Sequence, residues 1–136
     1  LQTDRKKKDS IAMGSYNSDS HNIQRVAMPD GSVRNEGDVQ VSVQPYEIAF
    51  GTIIPKKDQV QNLLVPVCLS ASHVAYSSVR MEPQYMMLGQ AAGVAAAMAI
   101  KEKTAVQDVD VSKLQIRLRS QKAILHIEQQ ATGAGE

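Results

Sequence analysis

The chain has 136 residues, enough for one domain, with 43% hydrophobic and only 4% aromatic residues, so an aliphatic core is expected. Its net charge of +1 gives no electrostatic reason for a nucleic-acid partner, and a single cysteine excludes an internal disulfide framework. The longest apolar segment, residues 88–100, is too short to span a membrane, and we expect no signal peptide before the charged first residues.

Residues 15–22, SYNSDSHN, form the first polar cluster. On a strand, Asp19 and His21 would point to the same face because side chains alternate. One interpretation is a substrate-facing segment in which His21 transfers a proton beside Tyr16 and Asp19. The other is a turn-rich segment whose polar side chains bond to the local backbone. The three histidines are far apart in sequence, so no metal site is predicted.

Residues 26–50 show the turns and alternation of β-structure. Two segments, Pro29-Asp30-Gly31 and residues 35–38, predict turns. Valines at alternate positions of residues 39–43 predict a strand with one solvent-exposed face. The alternation continues through Tyr46, Ile48 and Phe50 in residues 46–50, so this part of the chain is predicted to be β-rich.

Residues 63–69, LLVPVCL, are mostly apolar without alternation. Such a run predicts a strand buried on both faces, as in a parallel sheet, although Pro66 cannot donate to a ladder. We interpret Cys68 as a small buried strand residue, because it has no CxxC partner and no adjacent base. A polar connection is predicted for residues 70–80.

A helix rich in small residues is predicted from Gln84 to Ile100. Pro83 suits its first turn, where the missing N–H would have no partner anyway. Gly89 and Gly93 each cost about 1 kcal/mol relative to alanine in a helix interior, so we expect the helix backbone to pack closely against a sheet or ligand there. The helix N-terminus carries free N–H groups and a partial positive charge, which favour a ligand with negative or carbonyl oxygens.

Residues 111–128 predict an amphipathic helix with leucines on one stripe. Asp110 or Ser112 is expected to cap it. Packing on its own domain is the first interpretation of this helix, and a partner-binding face is the alternative. We predict a flexible tail for residues 129–136.

The run NLLVPVCLSASHVAYSSVRMEPQYMMLGQAAGVAAAMA resembles the C-terminal segment of the FAD-dependent oxidoreductases labelled xanthan lyase-like, a group of glutathione-reductase-like flavoproteins. The resemblance covers roughly residues 45–125, with looser similarity back to about Ile11. It implies an α/β fold, in which the chain is the C-terminal strand–loop–helix part of an FAD-binding Rossmann-like domain plus a β-rich remnant of a substrate domain. The implied division is residues 1–45 for the substrate-domain remnant, 46–128 for the FAD-binding part and 129–136 for the tail.

The resemblance also implies hydride transfer from an organic substrate to FAD. The helix N–H groups near Gln84 and Tyr85 would then stabilise negative charge at the pyrimidine edge of the flavin. His73 and His21 would be the catalytic residues, His73 being alternatively a loop cap. Arg80 would bind an anionic substrate or flavin oxygen, or would alternatively pair with Glu82 or another acid. The implied cofactor-binding residues are Ser70, Ala71, Ser72, Arg80, Gln84, Tyr85, Gly89 and Gln90.

One departure from the family pattern is that the diphosphate-binding sequence G-x-G-x-x-G is absent from the chain. We therefore expect a fragment with an incomplete FAD site, inactive alone and prone to self-association through exposed strand edges. Its substrate would be a small molecule or carbohydrate, with neither nucleic acid nor membrane as partner. Two alternatives stay open: a non-enzymatic binding or assembly module using residues 111–128, and a carbohydrate-active fragment using Tyr16, Asp19 and His21.

Overall fold

The computed structural model describes residues 2–21 and 24–127 of the chain, in which short strands precede the helices. The strands are β1 (Ser10–Gly14), β2 (Ser18–Ser20), β3 (Gln24–Ala27), β4 (Val33–Glu36), β5 (Val39–Val41) and β6 (Tyr46–Ala49). The helices are α1 (His73–Val79), α2 (Glu82–Glu102) and α3 (Val111–Ser120), and short 3₁₀ turns lie at Phe50–Thr52 and Val106–Asp108. Mixed strands and helices agree with the predicted α/β class.

The strands pair antiparallel in three two-stranded ladders, β1 with β6, β2 with β5 and β3 with β4. The predicted hairpin turn is confirmed between β3 and β4. Gly31 adopts φ +82° there, a conformation that side chains disfavour, and Asp30 Oδ1 accepts the N–H of Ser32 at 2.9 Å. The Rossmann-like sheet implied by the family resemblance stays a prediction, since the described strands form no parallel pair.

One aliphatic core joins the strands to the helices, as the composition predicts. It includes Ile11, Ile48, Phe50, Ile53, Leu88, Ala91, Ala95, Met98, Leu114, Leu118 and Leu125. These residues lie on both sides of position 45, because β1 pairs with β6 and packs against α2. The domain boundary at residue 45 stays a prediction.

The strand predicted for residues 63–69 does not form, so that prediction is wrong. The described backbone is irregular there, and the segment is tied to the preceding turn by the N–H of Val65, which donates to the Ile53 carbonyl at 2.8 Å. Cys68 is exposed, which also corrects its assignment to a buried strand. An apolar run does not distinguish a strand from an extended irregular segment, and Pro66 removes one ladder donor.

The predicted polar connection contains a further helix, α1. The hydroxyl of Ser72 caps it by accepting the N–H of Ala75 at 3.2 Å. The predicted order of strand, loop and helix is therefore replaced by an extended segment and two successive helices. A seven-residue helix has too few repeats for its periodicity to be recognised in sequence.

Helix α2 is confirmed and extends two residues beyond each predicted end, with Pro83 in its first turn. Lys103 ends it in a left-handed conformation with φ +55°. The expected close packing against a sheet at Gly89 and Gly93 does not form in the described part of the chain, because a Cβ atom at either position would meet nothing within 4 Å. Close packing against a ligand at these glycines stays a prediction. No described helix has the length and apolar character needed to cross a membrane.

Helix α3 ends at Ser120, eight residues before the predicted end. Asp110 caps it by accepting the N–H of Lys113 at 3.1 Å, as expected. The chain then turns through Lys122, at φ +66°, and returns Leu125 to the core. The predicted tail lies outside the described residues.

Candidate functional site

A cavity of about 510 Å³ opens between the end of β1 and the start of α2. Its volume and its mostly apolar lining are typical of sites for small molecules and cofactors. Gly14 and Tyr16 contribute from the strand side, and Pro83 and Gln84 contribute from the first turn of α2. The apolar walls include Met13, Pro45, Met81, Met87 and Ile124.

The first turn of α2 has backbone N–H groups without acceptors at the N-terminal end of the helix, where Pro83 and Gln84 line the cavity. The N–H of Tyr85 donates to the Met81 carbonyl at 3.1 Å, so it is not the free donor that the sequence suggested. The N–H groups of Glu82 and Gln84 precede this bond and have no acceptor within the helix, while Pro83 has no N–H. The helix dipole adds partial positive charge at the same place.

Gln84 is a buried polar side chain in the lining of the cavity. It is only 6% exposed, and its Oε1 atom has no hydrogen-bond partner among the described residues. A buried acceptor without a partner costs about 1–3 kcal/mol. This oxygen has almost no accessible surface, so the carboxamide is packed into the wall of the cavity.

Gly14 allows a tyrosine ring to pack under the strand side of the cavity. A Cβ atom at Gly14 would lie 2.7 Å from Cζ of Tyr46, which is buried. Tyr46 Oη lies 2.7 Å from Ser78 Oγ, and Ser78 donates in turn to the Tyr16 carbonyl. This chain of bonds positions Tyr16 at the cavity. Sequence reasoning missed Gly14 and Ser78, although a buried tyrosine hydroxyl normally requires a polar partner.

Two tyrosines have raised pKa values. Burial raises the pKa of Tyr46, and its bond with Ser78 opposes this increase. Burial, followed by the hydrogen bond with Tyr76, raises the pKa of Tyr85 to about 12. The two hydroxyl oxygens of Tyr76 and Tyr85 are 2.8 Å apart and connect α1 to the first turn of α2.

We expect the free energy of unfolding to decrease above pH 10. The unfolded chain ionises its tyrosines near pH 10, whereas Tyr46 and Tyr85 stay protonated in the folded state to higher pH. Their contribution is complete below pH 10 and is lost as the pH rises through the folded pKa values, about 12 for Tyr85. Denaturant unfolding between about pH 8 and 11.5 should show a shallower decline for Tyr85→Phe, and an identical decline would contradict this assignment.

The polar cluster predicted at residues 15–22 forms around β2 in its described part, residues 15–21. His21 Nε2 lies 3.1 Å from Asp19 Oδ1, its Nδ1 lies 3.4 Å from Asp38 Oδ1, and Tyr16 Oη donates to Asp19 Oδ2 at 3.4 Å. These groups adjoin a second cavity of about 230 Å³ lined by Tyr16, Asp19 and Gln40 among others. Tyr16 lines both cavities, so it separates an apolar compartment from a polar one.

His73 and Arg80 hold α1 against β2. His73 Nε2 lies 3.0 Å from Ser20 Oγ, and Arg80 Nη2 donates to the Asp19 carbonyl at 2.9 Å. Arg80 therefore contacts the main chain, and the suggested pairing with Glu82 is not formed. Neither His73 nor Arg80 lines the two cavities described above.

The other predicted cofactor residues lie away from the cavity. Ser70, Ala71 and Ser72 precede α1 and are exposed. Gly89 and Gln90 lie on the exposed face of α2, where Gln90 Nε2 donates to Gln121 Oε1 at 2.8 Å. Within residues 2–21 and 24–127, no group of three or more histidine, cysteine or acidic side chains could hold a metal ion.

Comparison with known proteins gives one family. The model of the family described as FAD dependent oxidoreductase matches residues 1–118, which include β1, α1, α2 and most of the cavity lining. The curated proteins and the solved structures gave no match. The finer resemblance to glutathione-reductase-like and xanthan lyase-like proteins stays a prediction. Since the match covers most of the sequence, the chain belongs to the FAD-dependent oxidoreductase family.

Proposed function

We propose that the chain forms the part of an FAD-dependent oxidoreductase that holds the isoalloxazine ring, in an enzyme that oxidises an organic substrate by hydride transfer. The observation that carries this proposal is the apolar cavity of about 510 Å³ at the N-terminus of α2. The family match supports FAD as the cofactor. The cavity fits the ring because it combines apolar walls with the first-turn N–H donors of α2.

The chain would bind and polarise the ring with groups that are already in place. Met13, Met81 and Met87 provide apolar walls that exclude water. The N–H groups of Glu82 and Gln84, with the helix dipole, favour negative charge on the ring edge that they face. When bound, FAD would supply the hydride acceptor, and the protein contributes orientation and electrostatics.

The polar cavity would hold the substrate on the other side of Tyr16. His21 is the proton-accepting group of this proposal, because its ring lies between the carboxylates of Asp19 and Asp38. Asp19 also accepts from Tyr16, so the cluster links both cavities. A substrate-dependent proton release that survives His21→Ala unchanged would remove His21 from this role.

The chain would supply only part of the cofactor site. Its sequence lacks G-x-G-x-x-G, so the diphosphate would be bound by polypeptide outside this chain. We also propose self-association of the isolated chain, because each described ladder has only two strands and so leaves strand edges without a partner strand. A monodisperse monomer in sedimentation experiments would contradict self-association.

Binding of lumiflavin, the isoalloxazine ring without its ribityl chain, tests the proposed function directly. We expect the protein to quench lumiflavin fluorescence on binding. Met87→Lys should abolish binding because it places a charge in the cavity wall. Met86→Lys, on the exposed face of the same helix, is the matched control and should bind normally. Absence of binding, or equal binding by both folded variants, would contradict the proposal.

A further inference from the structure

We propose that the ring of Tyr16 stacks against the isoalloxazine and separates it from the polar cavity until the substrate enters. This inference rests on the proposed function and adds a positioning residue to it. Tyr16 would cover the flavin face nearest the polar cavity. Its reorientation would then open the path along which the substrate reaches the flavin.

The first observation is that Tyr16 lies at the boundary between the two cavities. It lines the apolar cavity of about 510 Å³ together with Met13 and Met87, and the polar cavity of about 230 Å³ together with Asp19. Among the described residues that line either cavity, it is the only aromatic one. Because aromatic rings stack favourably on flat conjugated systems, Tyr16 is the lining residue best suited to contact a flavin face.

The second observation is that the main chain of Tyr16 is fixed while its ring is held weakly. The Tyr16 carbonyl accepts from Ser78 Oγ, and Ser78 is fully buried. The Tyr16 ring is 38% exposed, and its hydroxyl bond to Asp19 Oδ2, at 3.4 Å, is long for two oxygens. Tyr46, by contrast, is 1% exposed, with its hydroxyl 2.7 Å from Ser78 Oγ. Rotation of the Tyr16 side chain therefore costs less than rotation of Tyr46 would, and it leaves β1 in place.

A weakly held ring at this boundary meets two requirements of the proposed hydride transfer. Without substrate, the ring would exclude water from the flavin. With substrate, it would move aside, because the reacting atoms must approach to about 3–3.5 Å. Since Tyr16 Oη donates to Asp19 Oδ2, and Asp19 Oδ1 lies 3.1 Å from His21 Nε2, this movement would also leave Oδ2 available to a substrate hydroxyl beside His21.

The fluorescence of bound lumiflavin tests the stacking. The chain has four tyrosines and no tryptophan, so a tyrosine is the expected quencher, donating an electron to the excited flavin and then recovering it. We expect Tyr16→Phe to bind lumiflavin as wild type does but to lose most of the quenching, because phenylalanine keeps a stacked ring without the easily oxidised phenol. Tyr76→Phe is the matched control, since Tyr76 lines neither cavity, and should quench as wild type does.

Removal of the ring tests the separation of the two cavities. Tyr16→Ala should weaken lumiflavin binding about two- to tenfold, the value of an aromatic contact. Flavin bound to Tyr16→Ala should also be more accessible to the neutral quencher acrylamide than flavin bound to Tyr16→Phe, because only Tyr16→Phe keeps the separating ring. Equilibrium dialysis gives the dissociation constants, and circular dichroism confirms that each variant is folded.

Two results would overturn the inference while leaving the proposed function in place. One is quenching that survives Tyr16→Phe, and the other is equal acrylamide access to the flavin in Tyr16→Ala and Tyr16→Phe. Failure of the wild-type protein to bind lumiflavin would overturn both the inference and the proposed function. Tyr16→Phe decides the stacking even if Tyr16→Ala does not fold, because it removes only a hydroxyl group.

Discussion

Replacing Glu47 by alanine will lower the free energy of unfolding by about 1–3 kcal/mol. Glu47 lies in β6 and is only 5% exposed. Its carboxylate accepts the N–H of Lys7 at 2.6 Å and the N–H of Ile127 at 3.2 Å, and its Oε1 lies 3.2 Å from His126 Nδ1. One buried side chain thus joins the segment before β1 to the segment after α3.

The cost is large because the partners of Glu47 have no other acceptor at the same position. Arg119 Nη2 lies 3.1 Å from His126 Nε2, and since arginine only donates, that nitrogen accepts. The proton of a neutral His126 is therefore on Nδ1, facing Glu47. Alanine would leave two partly buried main-chain N–H groups and this imidazole N–H without their acceptor. A fully buried unpaired donor costs about 1–3 kcal/mol, and these donors each cost less because solvent reaches them in part.

Urea unfolding followed by circular dichroism measures this effect. Glu36→Ala is the matched control, because Glu36 is an acidic strand residue that pairs with Arg34 at an exposed site. Exposed ion pairs contribute about 0–1 kcal/mol, so the control should change the free energy of unfolding little. Equal losses for the two variants would show that the Glu47 carboxylate does not join the terminal segments.

Leu88→Ala is the second substitution for which we expect a large effect, a loss of about 2–5 kcal/mol in the free energy of unfolding. Leu88 lies in the second turn of α2 and has no exposed surface. Alanine would leave a cavity between α2 and the core, and the tightly packed neighbours could fill it only in part. The start of α2 would then be less firmly held beside the proposed flavin cavity.

Met86→Ala is the matched control for this substitution because it truncates a side chain on the opposite face of the same helix. Met86 is 75% exposed, so its loss should change the free energy of unfolding by no more than about 0.5 kcal/mol. Thermal or denaturant unfolding of both variants provides the comparison. A small loss for Leu88→Ala would mean that α2 does not depend on this contact with the core.

Local patterns predicted the parts of the fold that depend on short stretches of sequence. The β3–β4 turn follows from Gly31, whose positive φ needs a residue without a side chain. The start of α2 follows from Pro83, and the cap of α3 follows from Asp110. Tyr16, Asp19 and His21 meet around β2 because close neighbours in sequence need no long-range contact to come together.

Other residues acquired their roles only through contacts between distant segments. Glu47 gave no signal in an apolar strand, since its partners Lys7 and Ile127 lie 40 and 80 positions away. The same holds for Gly14, whose missing side chain is required by the ring of Tyr46. Pattern reasoning also misjudged residues 63–69, because a run of apolar residues specifies burial without specifying a pairing partner.

The sequence by itself determined the family, the long helix α2, the turns and the polar character of the β2 region, because each depends on residues close together in the chain or on a long specific motif. Only the tertiary structure decided which of the predicted cofactor residues reach the cavity between β1 and α2. It brought Gln84 beside the end of β1 and left Gly89 and Gln90 on an exposed face. The physical reason is that the position of a residue in a helix fixes the direction of its side chain relative to the helix axis. Which neighbours that side chain contacts depends on how elements distant in sequence pack together.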